Sequence, residues 1–321
     1  MQSKEAVVED GEIKSVTAVG SEIDGWTNFG DDDIMQQQYT IQSEEAKKVP
    51  FEPLSSLAAE YKSGSPILLE KIKVLDEQYA AIRRTRGDGN CFFRSFMFSY
   101  LVCLGLSSLK AYPLLTLDGY FGVYGEHVMK CQDQAEVDRI QANVEKSRKA
   151  LQTLGYADLT FEDFFALFLE QLESVIQGKE TSISHEELVL RSRDQSVSDY
   201  VVMFFRFVTS AAIQKRTEFF EPFILGLTNT TVEQFCKSSV EPMGEESDHV
   251  HITALSDALG IPVRVVYLDR SSSDTGGVSV NHHDFMPVAG DLPNASCSSE
   301  KNIPFITLLY RPGHYDILYP K

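Results

Sequence analysis

Residues 87–96 constrain the fold more than any other stretch, because a glycine-rich turn there runs directly into an apolar segment that follows a cysteine. The two glycines of the turn permit positive φ or a close backbone approach. The Asp and Asn beside them favour turns and helix N-caps. From Phe92 to about residue 103, apolar side chains recur at helical spacing. Cys91 is therefore predicted to lie in the first turn of a helix, where free N–H groups and the helix dipole favour a thiolate.

A reactive cysteine needs a base, and the end of the chain offers one. His314 and Asp316 lie two apart in a strand-like segment, so their side chains point to the same face and Asp316 can accept a hydrogen bond from the His314 ring. Tyr315 then faces the other way, into the core. The carboxylate orients the imidazole and makes a thiolate–imidazolium pair with Cys91 accessible near neutral pH. A cysteine and a histidine that only pack are the alternative interpretation.

The turn before the cysteine has a second predicted use. Backbone N–H groups of the Asp88–Cys91 loop are expected to converge on an oxyanion, and each such donor stabilises a transition state by about 3 kcal/mol. Asp88 has three roles that the sequence leaves open: holding the loop, capping the helix or tuning the nucleophile. We count it with Cys91, His314 and Asp316 as the candidate catalytic residues.

Helical patterns occupy the first two thirds of the chain and strand-like patterns the last third, which predicts an α+β fold. One apolar helix is predicted from Tyr200 to about Lys215, capped by Ser198 and Asp199. Another is predicted from Asp248 to Leu259, with Gly260 at its C-terminal cap. Three segments rich in β-branched and aromatic residues predict strands, and the last two of them predict a hairpin: Pro262–Asp269, Ile303–Tyr310 and His314–Tyr319.

The two ends of the chain differ in charge. Residues 1–45 contain eleven Asp or Glu against two Lys, and they hold few apolar anchors. This composition is typical of disorder, so we predict an acidic, largely disordered arm at 1–45 and a folded domain at 46–321. Residues 105–127 and 271–300 are interpreted as inserted loops.

Composition excludes several classes of function. The net charge of −18 argues against a nucleic-acid partner, and no run of about 18 apolar residues predicts a membrane span. We expect no secretory signal, since no apolar segment follows a basic start. The five cysteines include no C-x-x-C pair and are expected to be reduced, in the cytoplasm or nucleus.

The other histidines predict no metal site. His249 and His251 lie two apart on a predicted helix and face different directions. His282 and His283 lie in a polar loop and are expected to be solvated. No spacing in the chain matches a zinc or phosphate-loop motif, so we predict neither a metal nor a cofactor.

Several segments resemble one family. Asp88–Arg94 is similar to the cysteine motif of the ovarian-tumour (OTU) class of deubiquitinases. Five further segments resemble the otubain subfamily in particular: Ser198–Tyr200, Phe219–Glu221, Ser247–Ile252, Val266–Arg270 and Tyr310–Tyr319. The resemblance covers roughly residues 46–321, and the two predicted insertions look most like those of plant otubains.

The resemblance implies a papain-like OTU cysteine-protease fold, with a small β-sheet packed between helical lobes. It implies Cys91 as the nucleophile, His314 as the base, Asp316 as the group that orients the base, and Asp88 among the active-site residues. The implied reaction is hydrolysis of isopeptide bonds in ubiquitin chains or conjugates through a thioester intermediate.

The resemblance also implies partners. Ubiquitin and polyubiquitin chains are the substrates, and some family members bind ubiquitin-conjugating enzymes and block them without catalysis. That inhibition is the alternative function for this chain. The positions similar to ubiquitin contacts in the family are Asp199, Tyr200, Phe220, Glu221, Phe223, His249 and His251.

Overall fold

The computed structural model describes residues 52–62, 65–107, 134–175, 183–271, 278–288 and 304–321. The predicted arm at 1–45 lies outside these residues. So do residues 108–127 of the first predicted insertion and most of the second.

Helices fill the middle of the described chain. In chain order they are α1 (Leu54–Glu60), α2 (Pro66–Gln78), α3 (Cys91–Ser107), α4 (Gln134–Thr153), α5 (Glu162–Ser174), α6 (His185–Arg193), α7 (Gln195–Lys215), α8 (Thr217–Thr228), α9 (Val232–Phe235) and α10 (His249–Leu259). A 3₁₀ turn at Asp158–Thr160 precedes α5, and a π-helical turn at Cys236–Val240 follows α9.

The described strands form one mixed sheet. They are β1 (Glu52–Pro53), β2 (Tyr79–Arg83), β3 (Val263–Tyr267), β4 (Asn281–Phe285), β5 (Ile306–Arg311) and β6 (His314–Pro320). The spatial order is β1-β2-β6-β5-β3-β4. Strands β3 and β5 are parallel, and the other neighbouring pairs are antiparallel. The predicted C-terminal hairpin is confirmed as β5–β6.

Both faces of the sheet are buried, which explains why its central strands are apolar almost throughout. Successive side chains of a strand point to opposite faces. Leu308 of β5 and Ile317 of β6 therefore join the core formed with α3, α5 and α7. Their neighbours Leu309 and Leu318 join a second core with α1 and α2. The sheet thus lies between helical layers, as the resemblance implied for an α+β OTU fold.

Helix α7 is the centre of the larger helical layer. Its length and composition alone would also suit a membrane span, but 67% of its most apolar 18-residue segment is buried inside the protein. Phe204 stacks on Phe168 of α5 with ring centroids 4.0 Å apart. The helix begins one turn earlier than predicted. Asp194 caps it by accepting a hydrogen bond from the Ser196 N–H at 2.8 Å, so the predicted cap at Ser198 and Asp199 was wrong.

Three strands were missed by the sequence analysis, of which β1 has only two residues. Strand β2 follows α2 without a break and pairs with β6, so it carries the chain from the helices to the turn before Cys91. Strand β4 lies in the segment interpreted as an insertion, and His282 and His283 are therefore on an edge strand rather than in a loop. Edge strands tolerate such polar sequences, which is why the pattern resembled a loop.

Candidate active site

Cys91 is the first residue of α3, as predicted. The Asn90 carbonyl accepts the first helical hydrogen bond, from the Arg94 N–H at 3.0 Å. The Cys91 side chain therefore lies at the positive end of the helix dipole, among N–H groups that have no acceptor in the preceding turn. The residue is buried, with 4% of its surface exposed.

The turn before Cys91 requires glycine at position 89. Gly89 has φ of +69°, a conformation that L-residues rarely adopt. A Cβ there would lie 1.7 Å from the carbonyl oxygen of Gly244. The Asn90 side chain joins the same two segments, because its Oδ1 accepts from the Gly244 N–H at 3.0 Å. The two loops are therefore in backbone contact, and the space between them excludes any side chain at 89.

Asp88 holds the loop. Its Oδ1 accepts the Asn90 N–H at 3.0 Å, and its Oδ2 accepts from Arg94 Nη2 at 2.6 Å. The same Nη2 donates to Asp199 at 2.6 Å. Burial opposes the charge of Arg94, yet the bonds from Asp88 and Asp199 outweigh it and raise the pKa of the guanidinium. Of the three roles that the sequence left open for Asp88, this geometry supports the first.

The loop also refines the predicted oxyanion donors. The Asn90 N–H is committed to Asp88 and is unavailable. Within the described residues, the N–H groups of Gly89 and Cys91 have no acceptor. These two donors are the ones left to bind a negatively charged oxygen.

His314 and Asp316 meet as predicted. His314 Nε2 lies 3.0 Å from Asp316 Oδ1. Tyr315 between them faces the other way, and its ring packs edge-on against Phe92 with centroids 5.6 Å apart. This contact joins β6 to α3 and brings the histidine to the helix start, although 223 residues (314 − 91) separate the two in sequence.

Asp316 is fully buried and remains ionised. Burial alone would raise the pKa of its carboxyl, but the His314 hydrogen bond and the charges of Arg311 and Arg84 lower that pKa to about 2. Arg311 Nη2 donates to Oδ2 at 2.6 Å, and the Thr85 N–H donates to Oδ1 at 2.9 Å. The carboxylate therefore keeps a fixed orientation toward the histidine.

His314 is the link between the carboxylate and the sulfur. Burial lowers its pKa, but hydrogen bonds with Asp316 and Cys91 and the charges of both raise the pKa to about 9. Since Nε2 faces Asp316, Nδ1 is the ring nitrogen left for the sulfur. A histidine with this pKa is protonated at neutral pH and stabilises a thiolate beside it.

Asp316→Asn is expected to lower the alkaline limit of activity. The His314 imidazolium can protonate a leaving group only below its pKa of about 9, so activity falls as pH rises through that value. Losing an adjacent negative charge lowers such a pKa by about 1–3 pH units. The measurement is kcat/KM against pH. The control is Asp284→Asn, which removes an ion pair between the edge strand β4 and Arg264 of β3. If the alkaline limb of Asp316→Asn were unchanged, Asp316 would not be the group that raises the pKa of His314.

The predicted contact residues divide into two groups. Phe220 and His251 are each 1% exposed, so neither side chain can contact a partner directly, and their selection was wrong in that respect. Phe220 packs in the core around α8, and His251 completes a capping box with Asp248. The others reach the surface at least in part: Asp199, Tyr200, Glu221, Phe223 and His249.

The histidines form no metal cluster in the described part of the chain. His249 and His251 face different directions, as predicted. His249 Nε2 lies 2.7 Å from the Tyr267 hydroxyl, and its ring stacks on His283 with centroids 5.9 Å apart. Burial and the nearby His283 charge lower the pKa of His249.

The arginines at the site were not selected from the sequence. Arg94 holds Asp88, and Arg311 holds Asp316. Arg206 lies inside α7 and reaches the loop before Cys91. The only signal for Arg206 was a charged residue within an apolar helical pattern, and such a pattern does not reveal what the charge contacts.

The family of the chain follows from comparisons with known proteins. The sequence profile of the family described as Peptidase C65 Otubain matches residues 36–110 and 120–320. The gap between the two matched segments lies inside the predicted insertion at 105–127.

Relatives match over most of their length. The chain is 64% identical over 311 residues to the Arabidopsis thaliana protein named OVARIAN TUMOR DOMAIN-containing deubiquitinating enzyme 1, covering 96% of this chain and 91% of the relative. It is 39% identical over 293 residues to the Homo sapiens protein named Ubiquitin thioesterase OTUB1, covering 90% of each.

A solved structure shows the same fold. The otubain chain in the structure of h/ceOTUB1, ubiquitin aldehyde and UBCH5B~Ub superimposes with a TM-score of 0.65 at 33% identity, covering 91% of this chain and 99% of that one. A complex of ceOTUB1 with ubiquitin aldehyde and UBC13~Ub also has a TM-score of 0.65. The family profile matches most of this chain, and both relatives are more than 30% identical to it over most of their own length. This chain therefore belongs to the otubain family, peptidase family C65.

Proposed function

We propose that this chain is a deubiquitinating cysteine protease that hydrolyses isopeptide bonds in ubiquitin chains or conjugates, with residues 46–321 as its catalytic domain. The observation that carries the proposal is His314, whose Nε2 lies 3.0 Å from Asp316 Oδ1 and whose pKa both Asp316 and Cys91 raise. Membership of the otubain family and the names of the relatives supply the substrate class. A reduced thiol is essential to this chemistry, which suits the cytoplasm and nucleus.

In the first step, the Cys91 thiolate attacks the carbonyl carbon of the C-terminal glycine of ubiquitin. The carbonyl oxygen becomes an oxyanion, and the N–H groups of Gly89 and Cys91 are the donors positioned to stabilise it. Because His314 is protonated before the substrate arrives, the nucleophile needs no base at this stage.

In the second step, the C–N bond breaks as the His314 imidazolium gives its proton to the departing lysine amine. A thioester between Cys91 and ubiquitin remains. Neutral His314 then removes a proton from water, which attacks the thioester. The C–S bond breaks, the Cys91 thiolate leaves beside the imidazolium, and the carboxylic acid of ubiquitin loses its proton to solvent. Throughout, buried Asp316 keeps the ring of His314 oriented and stabilises its imidazolium form.

The exposed side chains near α7 and α8 are the proposed ubiquitin contacts. Tyr200 is 43% exposed and Phe223 is 55% exposed. Large apolar side chains in contact with water favour a protein partner. Asp199 and Glu221 supply acidic groups beside them, and His249 lies on the exposed side of α10.

A ubiquitin that carries an electrophile in place of its C-terminal carboxylate tests the proposal. We expect this probe to form one covalent adduct with the wild-type chain. Peptide mass spectrometry should locate the modification at Cys91. The same electrophile on other ubiquitin-like modifiers is the control. An equal reaction with every modifier, or a reaction at a different cysteine, would show that the chain is not a ubiquitin-specific hydrolase that uses Cys91.

A second candidate function is binding and inhibition of ubiquitin-conjugating enzymes. Two solved structures that resemble this chain are complexes of an otubain with ubiquitin aldehyde and UBCH5B~Ub or UBC13~Ub, and this favours the idea. Inhibition of ubiquitin transfer should then persist in Cys91→Ala and disappear when residues 1–45 are deleted. Loss of inhibition in Cys91→Ala would make it a consequence of catalysis instead.

A further inference from the structure

Arg206 is an unusual residue for the centre of a core helix. It is 0% exposed, and its side chain is among the largest fully buried ones in the described chain. Burial lowers the pKa of its guanidinium to about 10. Its Nε–H is buried with no acceptor among the described residues, and an unpaired buried donor is unfavourable for folding. An apolar side chain would suit this position in α7 better if stability were the only requirement.

The hydrogen bonds of Arg206 converge on the loops beside Cys91. Nη2 donates to the Gly89 carbonyl at 3.2 Å, to Asn90 Oδ1 at 2.8 Å and to the Glu245 carbonyl at 2.7 Å. Nη1 donates to the Val240 carbonyl at 2.9 Å. All four acceptors are uncharged, so Arg206 joins two backbone segments instead of forming an ion pair.

The loop consists of three successive peptide planes, each held at its carbonyl. Asn90 Nδ2 holds the Asp88 carbonyl at 3.0 Å, Arg206 holds the Gly89 carbonyl, and the Arg94 N–H holds the Asn90 carbonyl. Because a peptide unit is planar, fixing its carbonyl also fixes the direction of its N–H.

The N–H directions set in this way are those of the proposed oxyanion donors. The first plane carries the Gly89 N–H and the third carries the Cys91 N–H. Arg206 acts directly on the middle plane, whose N–H is held at the other end by Asp88. It acts on the first plane through Asn90, since Oδ1 of that amide accepts from Arg206 while Nδ2 holds the Asp88 carbonyl.

We propose that Arg206 is a positioning residue for the reaction: by holding Gly89 and Asn90, it orients the N–H groups that stabilise the oxyanion. It touches neither the substrate nor the reacting sulfur. The guanidinium also lies over the Phe93 ring at 4.8 Å, which connects it to α3 two residues beyond Cys91. This role rests on the function proposed above.

Arg206→Lys tests the proposal. Lysine keeps the cation and the apolar stem, but its single ammonium cannot reach four acceptors in the geometry of the guanidinium fork. With a ubiquitin that carries a C-terminal fluorogenic amide, we expect kcat to fall about 10- to 100-fold while KM stays within about twofold. The rate is corrected for the folded fraction by active-site titration. A variant with wild-type kcat, or with a loss confined to KM, would overturn the proposal.

Hydrogen exchange measures the positioning itself, independently of ubiquitin. Amide exchange in the peptide containing residues 86–94 should become at least about tenfold faster in Arg206→Lys. Arg139→Gln is the control, because it removes an arginine that also donates to a backbone carbonyl, that of Leu259, but lies away from the loop before Cys91. The control should lower stability and leave both kcat and the exchange of 86–94 unchanged. Unchanged exchange in Arg206→Lys would reject the positioning role of Arg206, whether or not the chain is active on ubiquitin. Inactivity of the wild-type chain on ubiquitin would reject the proposed function, and it would do so separately.

Asn90→Ala covers the case in which Arg206→Lys does not fold. It leaves Arg206 with its three carbonyl acceptors, so the core is retained, but it breaks the connection to the first peptide plane. We expect a similar fall in kcat and similarly faster exchange. Wild-type values for both in Asn90→Ala would contradict the proposal.

Discussion

Cys91→Ser is expected to lower kcat for ubiquitin isopeptide hydrolysis by at least about 10⁴-fold, with KM nearly unchanged. The loss is this large because the site stabilises a thiolate. The hydrogen bond and charge of Asp316 raise the pKa of His314 in the variant as well. An imidazole that is held protonated is a poor base for a serine hydroxyl, which is a far weaker acid than a thiol. The substitution changes one atom, so ubiquitin binding should persist. The measurement is steady-state cleavage of each ubiquitin linkage type by the wild type and the variant.

Cys236→Ser is the matched control for this experiment. Cys236 is also a buried free cysteine, but burial raises the pKa of its thiol to about 12. Its Sγ faces the Ser210 carbonyl at 3.9 Å, and the residue lies in the core around α8 and α9. This variant should lose some stability and keep the wild-type kcat. If Cys91→Ser kept more than about 1% of the activity, or if Cys236→Ser lost as much as Cys91→Ser, the nucleophile would have been misassigned.

Gly89→Ala is expected to lower kcat by about 100-fold or more, because the loop must move by a distance that catalytic geometry does not tolerate. A Cβ at this position would lie 1.7 Å from the Gly244 carbonyl oxygen, and backbone cannot yield as a flexible side chain can. The left-handed conformation adds a strain of about 1–2 kcal/mol. Measured quantities are kcat with the fluorogenic ubiquitin amide and the free energy of unfolding in urea.

Gly155→Ala separates the clash from the backbone strain. Gly155 has φ of +88°, but a Cβ there would meet nothing within 4 Å. Its substitution should lower the unfolding free energy by about 1–2 kcal/mol and leave kcat unchanged. Equal effects of the two substitutions on kcat would show that the contact between Gly89 and Gly244 is unimportant for activity.

Much of the catalytic arrangement could be predicted from local periodicity. A turn followed by apolar residues at helical spacing placed Cys91 at a helix start, and the two-residue repeat of a strand placed His314 and Asp316 on one face with Tyr315 on the other. These predictions held because helix and strand geometry depends on neighbouring residues alone. The same reasoning failed at β2 and β4, where a short strand directly follows a helix and where an edge strand is polar.

Tertiary structure decided how these local units are held together. It brought His314 to Cys91 through the Phe92–Tyr315 contact, and it showed which predicted surface residues, Phe220 and His251, are buried. It also assigned Asp88 to the loop and revealed Arg206 behind it. The sequence by itself determined which residues could carry the chemistry, since their types and spacing are local. Which polar groups orient them depends on contacts between segments far apart in the chain, and periodicity contains no information about those contacts.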